Sequence, residues 1–368
     1  MVSILTCIRK KPYQQNIDLD FENVYFYKNH RKGKIMTYAI QVENLTKLYG
    51  PPEKGVLAVD QINFTVNEGE IFGFLGPNGA GKTTTQRMLT TLLEPTSGRI
   101  WLNGSDLAKD AYPAKKVIGL VPEVSNVYPE LSAWDNLMFT ASIYLVPKHE
   151  RESRARQLLE MFDLWEKRDV IAENYSKGMR RRLSIAMAII HKPALLFLDE
   201  ATTGLDAKSA RDIQGLIRQL NAEGTTVFMT THLIEEANQL CDRVAIINHG
   251  KIASIDTPEN LKRTVERVQS VVVALEPDGQ AHGDALNAMP GVISSVKMGD
   301  KWRLYTEDPS TLLPLVMGYA TSHDLRIVHL NTLAPSLEDV YLEITGGAVG
   351  TAPEKVMDRK TQQRKARR

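Results

Sequence analysis

Cysteine is nearly absent from this chain. Cys7 and Cys241 are the only two, and they match no metal-ligand or redox spacing. That excludes a disulfide framework and a zinc site, and points to a reducing, intracellular setting. No charge of one sign dominates either: 45 Lys and Arg oppose 44 Asp and Glu, a net charge of +1. A chain so balanced has no overall electrostatic pull toward nucleic acid or a membrane surface. Long apolar runs are missing as well. A spanning helix needs roughly 20 apolar residues in succession, whereas Ala194-Leu195-Leu196-Phe197-Leu198 has only the length of a buried strand. The amino terminus does not read as a secretory signal, because apolar Ile4-Leu5 precedes basic Arg9-Lys10-Lys11. The expectation is a protein soluble by itself.

What is present is enough chain, 368 residues, for two or three domains of ordinary size. Residues 1–35 show no sustained helical or strand period and carry the basic run Asn29-His30-Arg31-Lys32-Gly33-Lys34. They read as a disordered or non-native extension, with Met36 as the natural start. From Ala39 to about 262, strand-like and helix-like segments interleave, as in an α/β domain with parallel strands. An antiparallel β layer that includes Leu57–Val66 comes first. The stretch from about 128 to 190 is mostly helical, with apolar residues at helix spacing in Trp134–Tyr144, Arg154–Phe162 and Arg180–Ile190. His249-Gly250 predicts a hairpin turn.

Residues 264 to 346 read as a second unit. Strands at Ser270–Leu275, Val292–Met298, Trp302–Tyr305 and Leu325–Leu330 interleave with helices at His282–Met289, Ser310–His323 and Ser336–Ile344. The order β-α-β-β-α-β-α suggests a small α+β domain of ferredoxin-like type. The tail, 347–368, is polar and ends in Arg and Lys pairs, the composition of a disordered segment. The expected organisation is therefore an extension, an α/β domain over 36–263, an accessory domain over 264–346 and a tail.

The strongest chemical signal is Gly76-Pro77-Asn78-Gly79-Ala80-Gly81-Lys82-Thr83, followed by Thr84. It fits G-x-x-x-x-G-K-[ST] at every fixed position and lies between the strand Phe72–Leu75 and the helix Thr83–Leu93. Such glycines let the backbone form a nest of N–H groups aimed at phosphate oxygens, to which the following helix adds its positive end. Lys82 supplies a charge for the β- and γ-phosphates, and the Thr83 hydroxyl suits Mg²⁺. The apolar strand Leu195–Leu198 ends in Asp199-Glu200. In a parallel sheet the carboxyl ends of the strands line a nucleotide site. Asp199 is therefore placed for the magnesium shell, and Glu200, on the alternate side of the strand, for the attacking water. The composite expectation is ATP hydrolysis with Mg²⁺.

Around this pair the sequence resembles a family. Asn174-Tyr175-Ser176-Lys177-Gly178-Met179-Arg180-Arg181-Arg182-Leu183 precedes Asp199-Glu200-Ala201-Thr202-Thr203-Gly204-Leu205-Asp206, and Thr230-Thr231-His232 follows one βα unit later. These segments resemble the signature, Walker B motif, D-loop and switch histidine of the ATP-binding subunits of ABC transporters. The likeness covers roughly Ala39 to Pro258. The carboxy-terminal Ser336-Leu337-Glu338-Asp339-Val340-Tyr341-Leu342-Glu343-Ile344-Thr345-Gly346 is similar to the daunorubicin-type drug-resistance exporter branch.

The resemblance implies roles at matching positions. Tyr49 would stack on adenine, Glu200 would be the general base, and His232 would contact the γ-phosphate. Ser176 and Gly178 would bind the γ-phosphate of ATP held by a second subunit, and Asp206 belongs to the D-loop beside that site. Glu123 stands where the family has a glutamine; a carboxylate there can accept from water or approach the metal but cannot donate. Two departures are Lys177 and Met179, in place of the usual glycine and glutamine. The resemblance further implies a homodimer or a pairing with a paralogous ATPase. It implies a separate transmembrane permease gripped near Glu123 and Tyr128–Tyr144, and a place on the cytoplasmic face of the cell membrane. A soluble ABC ATPase of translation or DNA repair is the alternative, disfavoured by the single nucleotide unit and the lack of zinc-binding or long coiled insertions.

Overall fold

The computed structural model describes residues 38–51, 53–264, 269–276 and 282–345. The expected extension (1–35) and tail (347–368) lie outside these. The chain opens with a hairpin, β1 (Tyr38–Tyr49) and β2 (Val56–Asn67), followed by β3 (Ile71–Leu75) and α1 (Lys82–Leu89). Next come β4 (Ser97–Leu102), β5 (Ser105–Asp106), α2 (Tyr112–Lys116) and β6 (Ile118–Val121). A helical stretch follows: α3 (Ala133–Ile143), α4 (Lys148–Met161) and α5 (Lys177–Ile189). The chain then alternates through β7 (Leu195–Asp199), α6 (Ala207–Ala222), β8 (Thr226–Thr231), α7 (Ile234–Leu240) and β9 (Arg243–Asn248). β10 (Lys251–Asp256) and α8 (Pro258–Arg263) close this part.

Two sheets result. β2-β1-β4-β5 is antiparallel, and β10-β9-β3-β8-β7-β6 is parallel except for its edge strand β10. Phenylalanines hold the sheets together. Phe64 of β2 lies 5.6–6.1 Å, ring centre to ring centre, from Phe72, Phe74 and Phe228, and Phe197 lies 5.5 Å from Phe228. Alternation along β3 and β7 turns the other side chains, Leu75, Leu196 and Leu198, toward the helices. Gly73 is required at one crossing: a Cβ there would stand 2.6 Å from Cys241 Sγ.

The sequence-based spans hold closely, including the His249-Gly250 hairpin between β9 and β10. One end differs. The helix expected to reach Leu93 stops at Leu89, where Thr90 caps it and Thr91 turns left-handed at φ 61°.

The remaining elements are β11 (Gln269–Glu276), α9 (Gly283–Asn287), β12 (Ser294–Met298), β13 (Lys301–Thr306), α10 (Pro309–Ser322), β14 (Arg326–Leu333) and α11 (Leu337–Thr345). The sheet order is β12-β13-β11-β14, antiparallel throughout. This is the ferredoxin-like arrangement, a βαβ pair split by β13. Leu286, Leu312 and Val316 of α9 and α10 pack on one face of the sheet.

α11 does something different. Its Leu337 and Val340 are buried in the same core as α5, α6 and α7, with Tyr341 and Ile344 packed beside them. Its Asp339, meanwhile, is bound to the sheet: Arg303 Nη2 donates to Asp339 Oδ2 at 2.9 Å, and Tyr305 OH donates to Oδ1 at 3.2 Å. Arg303 Nε also donates to Ser270 Oγ at 2.9 Å. Burial, with Asp339 alongside, pushes the Tyr305 hydroxyl up to about 12, against the pull of Arg303. Asp339→Ala would strand a buried guanidinium and a buried phenol, which typically costs about 3–5 kcal/mol. Urea unfolding should show that loss, and a change below about 1 kcal/mol would remove the pair from its bridging role.

Candidate functional site

β3 is buried along its whole length and delivers the chain to Gly76 at the carboxyl edge of the parallel sheet. The loop that follows is wedged. A Cβ on Gly76 would lie 2.4 Å from the Ile247 carbonyl of β9, and one on Gly81 would lie 2.5 Å from the Ala58 carbonyl of β2. Gly81 also sits at φ 108°, a left-handed value that favours glycine. Pro77 is half-buried, Asn78 and Gly79 are exposed and Ala80 is buried. Nothing would meet a Cβ on Gly79, so the loop is open on that side.

Lys82 begins α1 and is 5% exposed. Its ammonium donates to the carbonyls of Gly76 (2.7 Å) and Pro77 (3.1 Å) and stands 3.6 Å from Glu200 Oε1. Burial lowers its pKa, and the carboxylates of Glu200, Asp199 and Glu123 pull it back up. Thr83 Oγ1 lies 3.5 Å from Asp199 Oδ1, and Thr84 is half-buried in the same helical turn.

Asp199 ends β7 and is fixed by Thr230 Oγ1, which donates to its Oδ1 at 2.5 Å. Glu200 leaves the strand left-handed at φ 47°. That conformation is uncommon for a residue other than glycine and turns the carboxylate out of the strand's own direction. Its Oε1 lies 3.1 Å from His232 Nδ1, and its Oε2 accepts from Thr203 Oγ1 at 3.2 Å. Lys82, Thr83, Asp199, Glu200 and His232 are thus brought together at one sheet edge, from β7, the start of α1 and the loop after β8. A carboxylate and a hydroxyl are hard oxygen donors. Among the described residues no group of three or more His, Cys, Asp or Glu is arranged to hold a metal. This two-oxygen set fits Mg²⁺ held largely by phosphates and water.

Other expected residues are placed apart. Tyr49 ends β1, 41% exposed, paired with Val56 two residues from the Ala58 that meets Gly81. Ser176 caps α5, accepting from Met179 N at 3.2 Å, and Gly178 is buried in its first turn. Asp206 caps α6, accepting from Lys208 N, Ser209 N and Ser209 Oγ at 2.7–3.1 Å, which holds its carboxyl low. The bonds that Ser176 makes stay within α5. Glu123 has an exposed side chain, and its carbonyl accepts from Arg181.

Arg181 escaped the sequence reading. It is 7% exposed, and its guanidinium donates to the carbonyls of Pro122 (2.6 Å), Glu123 (3.2 Å) and Glu200 (3.1 Å). The available signal was its helix spacing with buried Gly178, Ile185 and Ala188, hidden inside an Arg-Arg-Arg run. Glu236 of α7 escaped too: buried, it accepts from Thr202 Oγ1 at 2.6 Å, and burial raises its pKa.

A family model described as "ABC transporter" matches residues 59–203. The linearmycin resistance ATP-binding protein LnrL of Bacillus subtilis (strain 168) is 35% identical over 309 residues, 83% of this chain and 98% of that protein. The daunorubicin resistance ATP-binding protein DrrA2 of Streptomyces coeruleorubidus is 36% identical over 319 residues, 84% of this chain and 95% of that one. A dimeric bacterial ABC transporter cassette, MJ0796, superposes with a TM-score of 0.55 at 28% identity, covering 59% of this chain and 98% of its own. Its post-hydrolysis dimer, bound to ADP and Pi, matches with TM-score 0.55 at 26% identity, with the same shares covered. With the phosphate loop, the paired acids and the signature in one fold, and relatives matched over nearly their whole length, this chain belongs to the ATP-binding proteins of the ABC transporter family.

Proposed function

We propose that this chain binds ATP with Mg²⁺ and hydrolyses it as one half of a two-site dimer, and so drives a separate permease that exports a small molecule. The observation that carries the chemistry is the convergence of Lys82, Thr83, Asp199, Glu200 and His232 at one sheet edge. Bound at Thr83 and Asp199, Mg²⁺ would neutralise phosphate charge. The nest of Gly76–Gly81 with Thr84 cradles the phosphates, Lys82 moves from its loop carbonyls onto the β- and γ-oxygens, and Tyr49 offers its exposed ring to adenine. Glu200 accepts a proton from the water that attacks the γ-phosphorus, the bond to the β,γ-bridging oxygen breaks, and ADP and phosphate leave. His232, beside Glu200, orients that water against the γ-phosphate.

Ser176, Gly178 and Asp206 serve the nucleotide held by a partner copy or a paralogue. The dimeric MJ0796 cassette supports that pairing. The resistance and export relatives are named as ATP-binding proteins, which supports a separate permease with this chain held peripherally on the cytoplasmic face; no helix of the described residues is long and apolar enough to cross a membrane. Its docking surface is the apolar patch of the helical part: Val124, Tyr128, Phe139, Ile143 and Leu145 are exposed, Val124 and Leu145 by 80% and 77%. Glu123 borders that patch. The direction, export, follows the resistance and export relatives. A role in translation or DNA repair has no such support.

Two outcomes test the reading. Glu200→Gln should keep ATP binding and accumulate an ATP-dependent dimer on size exclusion, while steady-state hydrolysis falls by roughly 100-fold or more; a wild-type rate would take the base role from Glu200. Arg181→Met removes three donors at nearly constant volume and lets the Glu200 backbone drift. The turnover rate should drop roughly 10-fold or more with nucleotide affinity within about 3-fold; equal losses in both would mean that Arg181 supports binding instead.

A further inference from the structure

The signature residue Lys177, which stands where the family has glycine, is bonded across to the D-loop of its own chain. Its ammonium donates to the carbonyls of Thr203 at 3.2 Å and Gly204 at 3.1 Å. Two charge-assisted bonds from one exposed lysine to consecutive carbonyls form a clamp rather than a chance contact. Gly204 is matched to it: it sits at φ 69°, and a Cβ there would come within 2.4 Å of the Lys177 ammonium. A second contact runs in parallel. A Cβ on Gly178 would lie 2.8 Å from Ser209 Oγ, the hydroxyl that donates to Asp206 at 2.7 Å. The start of α5 and the loop before α6 therefore hold together as one piece.

The clamped loop leads to Glu200. Thr203 Oγ1 donates to Glu200 Oε2, and Thr203 N donates to the Glu200 carbonyl, both at 3.2 Å. With Oε1 already beside Lys82 and His232, both carboxylate oxygens are engaged. A single residue, Thr203, thus links the signature ammonium to the proposed general base.

We propose that Lys177 is a positioning residue that makes hydrolysis at one ATP site depend on nucleotide at the other. This rests on the two-site dimer proposed above, in which a chain's signature meets the ATP of its partner while its Glu200 acts on its own. Phosphate oxygens arriving at the start of α5 compete with the Thr203 and Gly204 carbonyls for the same ammonium. Once drawn away, Lys177 releases the loop, Thr203 slackens on Oε2, and Glu200 becomes free to take a proton. Until then the clamp withholds the base, so a site with an empty neighbour turns over slowly.

The test is the ATP dependence of hydrolysis by the full chain and by two variants. Lys177→Ala removes the ammonium; Gly204→Ala keeps it but pushes it off the carbonyls. The wild-type Hill coefficient should approach about 2, the number of sites. Both variants should fall toward about 1 and hydrolyse several-fold faster at ATP well below half-saturation. An unchanged Hill coefficient in Lys177→Ala, with only a raised half-saturation point, would make the lysine a simple phosphate ligand and overturn the proposal. So would a change in Lys177→Ala that Gly204→Ala fails to reproduce. ATP-dependent dimerisation of Glu200→Gln, measured in parallel, separates the premises: if that variant stays monomeric, the two-site reading fails and the clamp falls with it.

Discussion

Neutrality inside a dry sheet edge is the constraint on which the site depends. Two cations, Lys82 and Arg181, and three carboxylates, Asp199, Glu200 and Glu236, are each less than 10% exposed, and Lys82 and Arg181 both reach Glu200. An unpaired charge so placed is costly, and an excess of either sign would move residues or shift protons. Here two cations stand against three carboxylates. Burial raises the pKa of Glu236, which makes its negative charge the easiest of the three to give up. Both cations also lean on main-chain carbonyls, Lys82 on its own loop and Arg181 on three carbonyls of two segments. The carbonyls serve as neutral acceptors that hold a charge without cancelling it, so Lys82 stays available to a stronger anion. Arg181, bonded to backbone only, is instead a fixed strut between the loop at Glu123 and the turn at Glu200.

That strut and the Lys177 clamp explain how three separated segments share one geometry. α5 carries both, one on its buried side and one at its exposed start. In the dimer proposed above, the helix that would present Ser176 to a partner is thus the helix that holds Glu200 by its carbonyl and, through Thr203, by its side chain. Under the proposed coupling, a shift of α5 would reach Glu200 within two hydrogen bonds, with no need for a long path through the core.

The phosphate loop, Asp199 and Glu200 were legible in the sequence because their chemistry is local. Glycines that must pass close to Ile247 and Ala58, and acids that must end a buried strand, leave marks at fixed spacing. The ferredoxin-like order of the second sheet was legible for a similar reason, since alternation and turn residues mark each strand. Arg181, Lys177 and Glu236 were not, because each acts on a segment 19 to 59 residues away in sequence or on a loop whose path only the fold decides. α11 lies between these cases. Leu337, Val340, Tyr341 and Ile344 at helix spacing announced an apolar stripe, but spacing alone names no surface for it to cover.

That surface has a consequence for how the protein is made. Leu337 and Val340, near the end of the described chain, complete a core that begins with Ile71. During synthesis from the amino end, the nucleotide-binding part emerges with the α7 and α8 side of its core bare. It stays so while the whole accessory sheet is translated. α11 then covers the patch, its Asp339 bonded to Arg303 of the accessory sheet. Order of emergence thus becomes a checkpoint: a chain broken off before residue 336 carries every phosphate-binding group yet leaves its core open to chaperones and proteases.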